Sequence, residues 1–373
     1  METTNKKEAT KKIFIFLGAI IFIGILYLGY YFLFADGYEE TENSYIKANQ
    51  TPITAQVSGV INKINIENTY AITKGNTVIS IDNSNYKIAL TNAKAQLGNA
   101  VRKYYILQNN VKLNEANVST ALENLNLAKK TFYRISKSFK AGITSKENYD
   151  TTHFKYLQSK NAYEQSLVNL NNSKIQAHST NIYTHPMVSS AIENFKKSYL
   201  DLEKTKIASP ISGTIAKKSV GVGQEIKPGQ ELFTVVDLNN IWVNANLKET
   251  QLKDVKPGNP VEIKSDLNKK IYQGIVTGIS AGSGSAFSLI PAQNATGNWI
   301  KIVQRVPVRI EISKNSLIKN GTLPIGTSVT TKINTKKIEK IPTISQEQTS
   351  TLYKINYEQL DGIVKNIIKE NSL

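Results

Sequence analysis

Few residues of this 373-residue chain are of the types that carry out catalysis or bind metals. The chain has no cysteine, which excludes a thiolate nucleophile, a disulfide framework, a thiolate metal site and a lipidated cysteine. Its three histidines are His153, His178 and His185, and no two of them have the spacing typical of a metal site. We interpret all three as solvated positions on or near a helix.

The sequence motifs of catalysis are also missing. Neither a G-x-S-x-G nucleophile elbow nor a G-x-x-x-x-G-K-[ST] phosphate-binding loop occurs. The glycine pairs at 221–223 and 282–284 lack the rest of such a loop, and the acidic pair at 39–40 lies in a polar segment that we expect to be solvated. The sequence therefore predicts a protein that is not an enzyme and that holds no cofactor or metal.

The charge balance is strongly basic, with a formal net charge of +17 from 46 Lys and Arg residues against 29 Asp and Glu residues. A nucleic-acid partner is one interpretation of such a charge. However, the basic residues are mostly lysines spread thinly through Asn- and Ile-rich sequence, and no basic helix with interleaved aromatic residues occurs. We therefore predict no nucleic-acid partner.

An uncharged apolar run at residues 13–34 predicts a membrane anchor. Its 22 residues would form a helix about 33 Å long, close to the roughly 30 Å of a bilayer core. Four lysines precede it and four acidic residues follow it, so residues 1–12 should stay in the cytoplasm and the body should be exported. A cleaved signal peptide is the competing interpretation, but the run is long for one and no clear cleavage site follows.

The longest regular pattern is an apolar stripe from Tyr86 to Phe139 that advances by alternate steps of four and three residues. Asn114 is its one polar member, and a repeat of 3.5 residues held this long is typical of a coiled coil. A second arm follows at 146–203, with a kink or restart expected at Pro186. Two arms of nearly equal length predict an antiparallel coiled-coil α-hairpin over residues 84–204.

Two short β-type segments, 51–83 and 205–237, flank the hairpin and resemble each other. The pairs Gly59/Gly213 and Gly75/Gly229 are both offset by 154 residues. Each glycine is expected to permit a turn with positive φ. Neither half is long enough to bury a core, so we expect the two to close one β-sandwich across the insertion.

Three further regions complete the chain. Residues 35–50 are predicted to form a polar, membrane-proximal segment with a short strand at 44–48. The pattern of residues 238–335 predicts a small β-barrel. The Gly- and Ser-rich loop at 281–297 interrupts the barrel, and a long loop within a compact domain is usually functional. Residues 336–373 form an extension with an amphipathic helix, which we expect to pack on the barrel or on a partner.

The predicted fold class is therefore mixed α and β, elongated and multidomain: an N-terminal transmembrane helix, a split lipoyl-like β-sandwich, a long antiparallel coiled-coil α-hairpin and a small β-barrel. In lipoyl carriers a lysine stands on the turn between the two halves, but here the hairpin enters at residues 82–83. This order of elements resembles the EmrA-type membrane-fusion, or periplasmic adaptor, proteins of the HlyD family. The runs 287–291, 294–299 and 304–308 carry the more specific part of the resemblance.

The resemblance implies partners and a location. It implies a homo-oligomeric adaptor that is anchored in the bacterial inner membrane by a single pass, with its bulk in the periplasm. One partner would be an inner-membrane major-facilitator (MFS) drug/proton antiporter, and the other a TolC-type outer-membrane channel. A loop facing the transporter or substrate would include Phe287, Leu289, Pro291, Asn294 and Trp299.

The resemblance also implies a docking tip on the hairpin. In this family the tip often carries an Arg, a Leu and a Ser at fixed spacing, and here Arg134 and Ser145 match while Ser138 stands at the Leu position. Phe139 or Ile143 could supply the apolar contact instead. The candidate docking residues are Arg134, Ser138, Phe139, Gly142, Ile143 and Ser145.

Three other functions are open to the same features. The chain could serve an ABC exporter in a type I secretion system, or act as a periplasmic module that holds the drug itself near the 281–297 loop. A lipoylated acyl carrier is the alternative from the enzyme class, although the carrier turn is missing.

Overall fold

A computed structural model describes residues 13–25, 37–178, 181–284, 286, 302–341 and 357–372. The first of these ranges is a helix, α1, with mostly exposed side chains. Across the described ranges, no helix combines the length and the apolar character needed to cross a membrane. The anchor predicted at 13–34 lies partly outside them, because residues 26–34 are not described.

Twelve strands and five further helices make up the rest of the described chain. The strands are β1 (Tyr38–Thr54), β2 (Gly59–Ile64), β3 (Ala71–Ile72), β4 (Thr77–Ile81), β5 (Lys206–Ala208), β6 (Gly213–Lys218), β7 (Glu225–Ile226), β8 (Glu231–Lys248), β9 (Pro260–Ser265), β10 (Ile271–Ile279), β11 (Arg305–Ile312) and β12 (Ser328–Asn334). The helices are α2 (Ser84–Lys140), α3 (Lys146–Gln176), α4 (Pro186–Glu203), α5 (Lys314–Asn320) and α6 (Tyr357–Asn371).

Six antiparallel strands form a closed barrel. They follow the order β1-β12-β9-β10-β11-β8, and pairing between β1 and β8 closes the ring. Alternate residues of these strands point inward, and Val243, Ile263, Tyr272 and Val308 are completely buried in the core. Closure leaves the ring of six barrel strands without a free edge.

Two strands are longer than the sequence predicted. The expected strand at 44–48 is the middle of β1, so residues assigned to a membrane-proximal segment form a barrel strand. Likewise, β8 runs through the predicted boundary between residues 237 and 238. The cause is their mutual pairing, which extends from Ser44↔Ala245 in the barrel to Thr54↔Glu231 beyond it, with a shift of register near Ala48.

The far ends of β1 and β8 belong to a β-sandwich. They join β6 and β3 in one sheet, while the other sheet has the order β5-β4-β2-β7. Strands from before the hairpin pair with strands from after it, as predicted: β2 with β7, β4 with β5 and β3 with β6. Ile61, Ile79, Ile226 and Phe233 lie at the centre of the shared core.

Glycine is required at the four repeated positions for two different structural reasons. Gly59, Gly75 and Gly229 have φ angles of 150°, 89° and 86°, as expected for turn positions. The prediction of positive φ is wrong at Gly213, which lies in β6. There a Cβ atom would stand 2.4 Å from the carbonyl oxygen of Val236, so close approach of two strands requires the glycine.

The hairpin consists of α2 as one arm and α3 followed by α4 as the other. The second arm restarts at Pro186, as predicted. Our interpretation of His185 as solvated is wrong, because it is 7 % exposed, with Nε2 3.3 Å from the carbonyl oxygen of Gln176 and its ring 5.4 Å from that of Tyr104. The ring is therefore packed against the C-terminal end of α3, where the second arm is interrupted.

The C-terminal helix α6 packs on the base of the hairpin, and not on the barrel as one of our alternatives had it. Leu360, Val364, Ile367 and Ile368 are at most 5 % exposed and share an apolar cluster with α2 and α4. Lys196 of α4 donates a hydrogen bond to Asp361 at 2.9 Å, and this bond raises the pKa of Lys196 above its ordinary value of 10.5. The base of the hairpin is therefore a bundle of three helices.

Candidate docking site at the hairpin tip

A tight backbone turn closes the hairpin at its tip. Gly142 follows the end of α2 with φ of 76°, a conformation that glycine adopts at least cost. Its N–H donates to the Phe139 carbonyl oxygen at 3.0 Å, and the N–H of Ile143 donates to the Ser138 carbonyl oxygen at 2.9 Å. These two bonds form a Schellman motif, which satisfies the last carbonyls of the helix and fixes the direction of the chain.

The start of α3 is capped just as firmly. Ser145 is the N-cap residue, and its Oγ accepts a hydrogen bond from the backbone N–H of Asn148 at 3.2 Å. Thr144 Oγ1 accepts a second bond from Asn148 Nδ2 at 2.9 Å. Ser145 therefore has a structural role in the turn, whatever else it contacts.

One large apolar side chain is left open at the end of the turn. In a Schellman motif, the residue after the glycine commonly packs on the residue three positions before the helix end. Here those residues are Ile143 and Ser138, and the serine offers no apolar surface. Ile143 is consequently 78 % exposed, which makes it the apolar group at the tip that a partner could cover.

Just below the turn, aromatic rings from both arms are stacked across the hairpin. Phe132 of α2 lies with its ring centroid 5.6 Å from Tyr156 and 4.9 Å from His153, both on α3. Phe139 stacks on Tyr149 at 4.9 Å. Such contacts each stabilise by about 0.5–1.5 kcal/mol beyond area burial, so the stack holds the arms together near the tip.

Sequence reasoning missed this stack, because it treated His153 as a solvated residue. A signal was present: each arm carries aromatic residues seven positions apart, at Phe132 and Phe139 and at Tyr149 and Tyr156. Seven-residue spacing keeps side chains on one face of a coiled-coil helix. What the spacing could not supply was the register between the arms.

The tip is the most basic part of the hairpin. Between residues 127 and 160 there are eight basic residues and two acidic ones. Arg134 is exposed and makes no ion pair within the described part of the chain. Excess positive charge at the end of a rod favours contact with an acidic surface.

The six candidate docking residues thus lie together at one end of the hairpin, although they differ in role. Arg134 and Ile143 are exposed and unpaired, whereas Gly142 and Ser145 build the turn. The five candidate residues of the 281–297 loop, Phe287, Leu289, Pro291, Asn294 and Trp299, lie outside the described residues.

The junction where lipoyl carriers present a lysine is occupied by a helix start. Asp82 accepts hydrogen bonds from the backbone N–H of Ser84 at 3.0 Å and from its hydroxyl at 2.7 Å. These bonds, led by the side-chain one, hold the pKa of Asp82 below its ordinary value of 3.8. Among the described residues, no cluster of His, Asp or Glu could hold a metal ion.

Two family models match the chain. The EMRA alpha-helical hairpin domain matches residues 84–205, and the AAEA-like beta-barrel domain matches residues 240–334. The multidrug export protein EmrA of Haemophilus influenzae is 35% identical over 99% of this chain and 96% of its own length. The chain belongs to the EmrA family of membrane-fusion adaptors. The probable multidrug resistance protein EmrK of Escherichia coli is 37% identical over 99% of this chain and 98% of its own.

Membership of the EmrA family confirms the predicted mixed α and β fold with its α-hairpin and β-barrel, apart from the N-terminal transmembrane helix, and establishes the kind of protein. The chain is an adaptor subunit of the multidrug-efflux type, and it is not an enzyme. Among solved structures, the periplasmic adaptor protein EmrA superposes with a TM-score of 0.41 and 17% identity, over 80% of this chain and 98% of its own.

Proposed function

We propose that this protein is the periplasmic adaptor of a tripartite multidrug efflux pump. It joins an inner-membrane MFS drug/proton antiporter to a TolC-type outer-membrane channel. The transporter supplies the energy, and the adaptor supplies the connection between the two membranes. Residues 13–34 anchor it in the inner membrane with the N-terminus in the cytoplasm, and the body extends into the periplasm.

The observation that carries the proposal is the tip of the hairpin. A rod of long helices ends in a turn that is closed by backbone hydrogen bonds and a side-chain cap, so its shape is largely fixed before any partner arrives. That turn presents Ile143, which is 78 % exposed, and the unpaired Arg134 is exposed on α2 six residues before the helix ends. A preformed end with one apolar anchor and one free guanidinium suits docking to a protein partner, because little ordering is lost on binding.

The opposite end of the molecule suits the transporter. The barrel begins at Tyr38, shortly after the predicted anchor, so it is held near the inner membrane. The loop between β10 and β11 leaves the barrel at Ser280, whose N–H donates to the carbonyl oxygen of Pro307 at 2.9 Å. We propose that this loop, with Phe287 and Trp299, faces the transporter or its substrate.

The decisive experiment places a photo-reactive residue at position 143 of the full-length protein in membranes and identifies what it captures. An outer-membrane channel is the expected product. Arg134→Glu, introduced beside the photo-reactive residue at position 143, should abolish capture, and the double variant Arg134→Glu with Ile143→Asp should abolish drug resistance. The matched control is Lys112→Glu, an exposed charge reversal midway along α2, which should leave both unchanged.

Three results would count against the proposal. Full drug resistance in the tip double variant would remove the docking role from the tip. Capture of an ABC exporter from a reactive residue on the barrel would assign the adaptor to a secretion system instead. Heat of binding with hydrophobic drugs on the purified protein would favour a module that holds the drug directly.

A further inference from the structure

The second arm of the hairpin is interrupted near its base. Helix α3 ends at Gln176 and α4 begins at Pro186, and the described part of the interruption, residues 177–185, contains one turn of 3₁₀-helix at Ile182–Thr184. Helix α2 runs past this level as one continuous helix. A helix is stiff because its backbone hydrogen bonds repeat along its whole length, so the rod should bend most easily where one arm is interrupted.

Helix α6 packs across both arms just below this interruption. Apolar residues of all three helices share one cluster there. On α2 and α4 its members that are at most 6 % exposed include Leu97, Val101, Val188, Ile192 and Phe195. Tyr104 also belongs to the cluster, and its ring lies 5.4 Å from that of His185, the last residue of the interruption. The contacts of α6 therefore strengthen the part of the rod directly below its weakest level.

Helix α2 carries a glycine where the end of α6 crosses it. Gly98 is buried within this 57-residue helix, although glycine weakens a helix interior relative to alanine. A Cβ atom at this position would stand 2.9 Å from Oδ1 of Asn371 and 3.2 Å from its Cγ. The missing side chain thus leaves room for the last turn of α6 to approach α2 closely.

Polar contacts tie α6 to both arms. Near its start, Asp361 accepts a hydrogen bond from Lys196 of α4 at 2.9 Å. Near its end, Glu370 pairs with Lys94 of α2 at 3.7 Å, and the Asn371 side chain accepts a hydrogen bond from Arg102 of α2. Because one end of α6 is held by α4 and the other by α2, the helix bridges the two arms.

The outward face of α6 is polar. Glu358, Lys365, Asn366 and Lys369 are exposed, and Tyr357 at the first position is the one large hydrophobic side chain of this helix that is exposed. Such a mixed, charged surface suits water, and the apolar face is already buried within the same chain. The arrangement favours a role inside the hairpin over a role in contacting a partner.

We propose that α6 positions the docking tip by holding α2 and α4 together below the interruption, so that the rod keeps the direction in which its tip meets the partner. This inference rests on the proposed function, in which the tip docks on an outer-membrane channel. Helix α6 is a positioning element and not part of the docking surface.

The helix acts on the tip from a distance. Its ion pair and hydrogen bond with α2 lie at Lys94 and Arg102, whereas Arg134 of the tip is about 48 Å farther along α2 at 1.5 Å per residue. At this distance α6 influences docking only through the direction of the rod. Any other firm link between α2 and α4 should therefore replace it.

Two variants release α6 in different ways, and the readout is capture of the channel from a photo-reactive residue at position 143 of the full-length protein in membranes. Ile367→Asp places an unpaired charge in the apolar cluster and should detach the helix, which loss of amide protection in α6 verifies. Capture should fall about tenfold or more, because apparent affinity falls with the fraction of molecules in the competent state. Gly98→Leu fills the space of Asn371 with a good helix former and should lower capture while α2 stays intact.

The decisive step is rescue by a link between the arms. Asn194 Nδ2 of α4 donates to Gln96 Oε1 of α2 at 2.9 Å, so these two positions face each other. Gln96→Cys with Asn194→Cys, added to Ile367→Asp and joined by a short bifunctional thiol reagent, should restore capture to near the parent level. The chain has no other thiol to compete. In the matched control, Asn99→Cys with Lys103→Cys, the reagent links two positions of α2 alone and should restore nothing.

Parent-level capture by a variant whose α6 has lost its amide protection would show that docking does not depend on this helix. Failure of the link between the arms to restore capture would show that α6 acts through a contact of its own, and would also overturn the proposal. Capture by the parent protein separates these results from the proposed function. Where the parent captures the channel, only the role of α6 fails; where the parent captures none, the proposed function fails and the role of α6 fails with it.

Discussion

Docking of α6 on the hairpin base can be tested by truncating one buried side chain. Ile367 is 2 % exposed and lies among the apolar residues of α2 and α4. Replacing a buried isoleucine by alanine costs roughly 2–5 kcal/mol through lost transfer free energy and the cavity left behind. Since every 1.4 kcal/mol is a factor of ten, Ile367→Ala should raise the detached fraction of α6 roughly 30-fold or more.

Hydrogen exchange of the full-length protein measures this detachment. Amides of α6 should lose protection in Ile367→Ala, and amides of α2 near Leu97, which α6 covers, should lose protection with them. The barrel should exchange as before. Lys365→Ala is the matched control, because Lys365 is exposed on the same helix. Equal protection of α6 in both variants would refute the argument that these apolar contacts hold the helix.

Three further predictions concern the sandwich, the tip and the helix start. Gly213→Ala should destabilise the sandwich by about 1–3 kcal/mol in chemical denaturation, because its Cβ would meet a backbone carbonyl oxygen at 2.4 Å; an unchanged midpoint would contradict this. Phe132→Ala should loosen the tip by about 2 kcal/mol through the loss of its ring contacts, seen as faster proteolysis at the turn. Because the pKa of Asp82 is lowered in the folded protein, its contribution to stability is present above pH 3.8 and is lost as pH falls through the folded value. Ser84→Ala, which removes the main cause of that shift, should flatten stability against pH below about 4.

The hairpin was largely predictable, because its signals are local and periodic. The stripe from Tyr86 to Phe139 predicts α2, and Pro186 marks the restart of the second arm. The pairing of the two halves of the sandwich followed from a repeated glycine offset. All three are patterns that can be read along the chain without knowing which distant residues touch.

The features that escaped prediction depend on contacts between distant segments. An amphipathic stripe at Leu360–Ile368 shows that α6 must bury one face, but it does not say whether the barrel or the hairpin receives it. The single strand β1 was divided because a shift of register near Ala48 breaks its alternating pattern. His185 was misread because a histidine before a proline looks like a loop residue, while its burial depends on Tyr104 more than eighty positions away.

The pairing of β1 with β8 through both β-domains also has a mechanical consequence. The barrel and the sandwich share one two-stranded ribbon, and its register breaks where Asp237 bonds to Asn239 and Asn240. The ribbon should bend more easily at this break in register than along its regularly paired parts. The hairpin extends far from this point, so a small bend there moves its tip a long way. Helix α2 alone has 57 residues, which gives it a length of roughly 85 Å at 1.5 Å per residue. A bend of about 5° at the register break would displace the tip by about 7 Å, which is more than the 5.4 Å pitch of one helical turn.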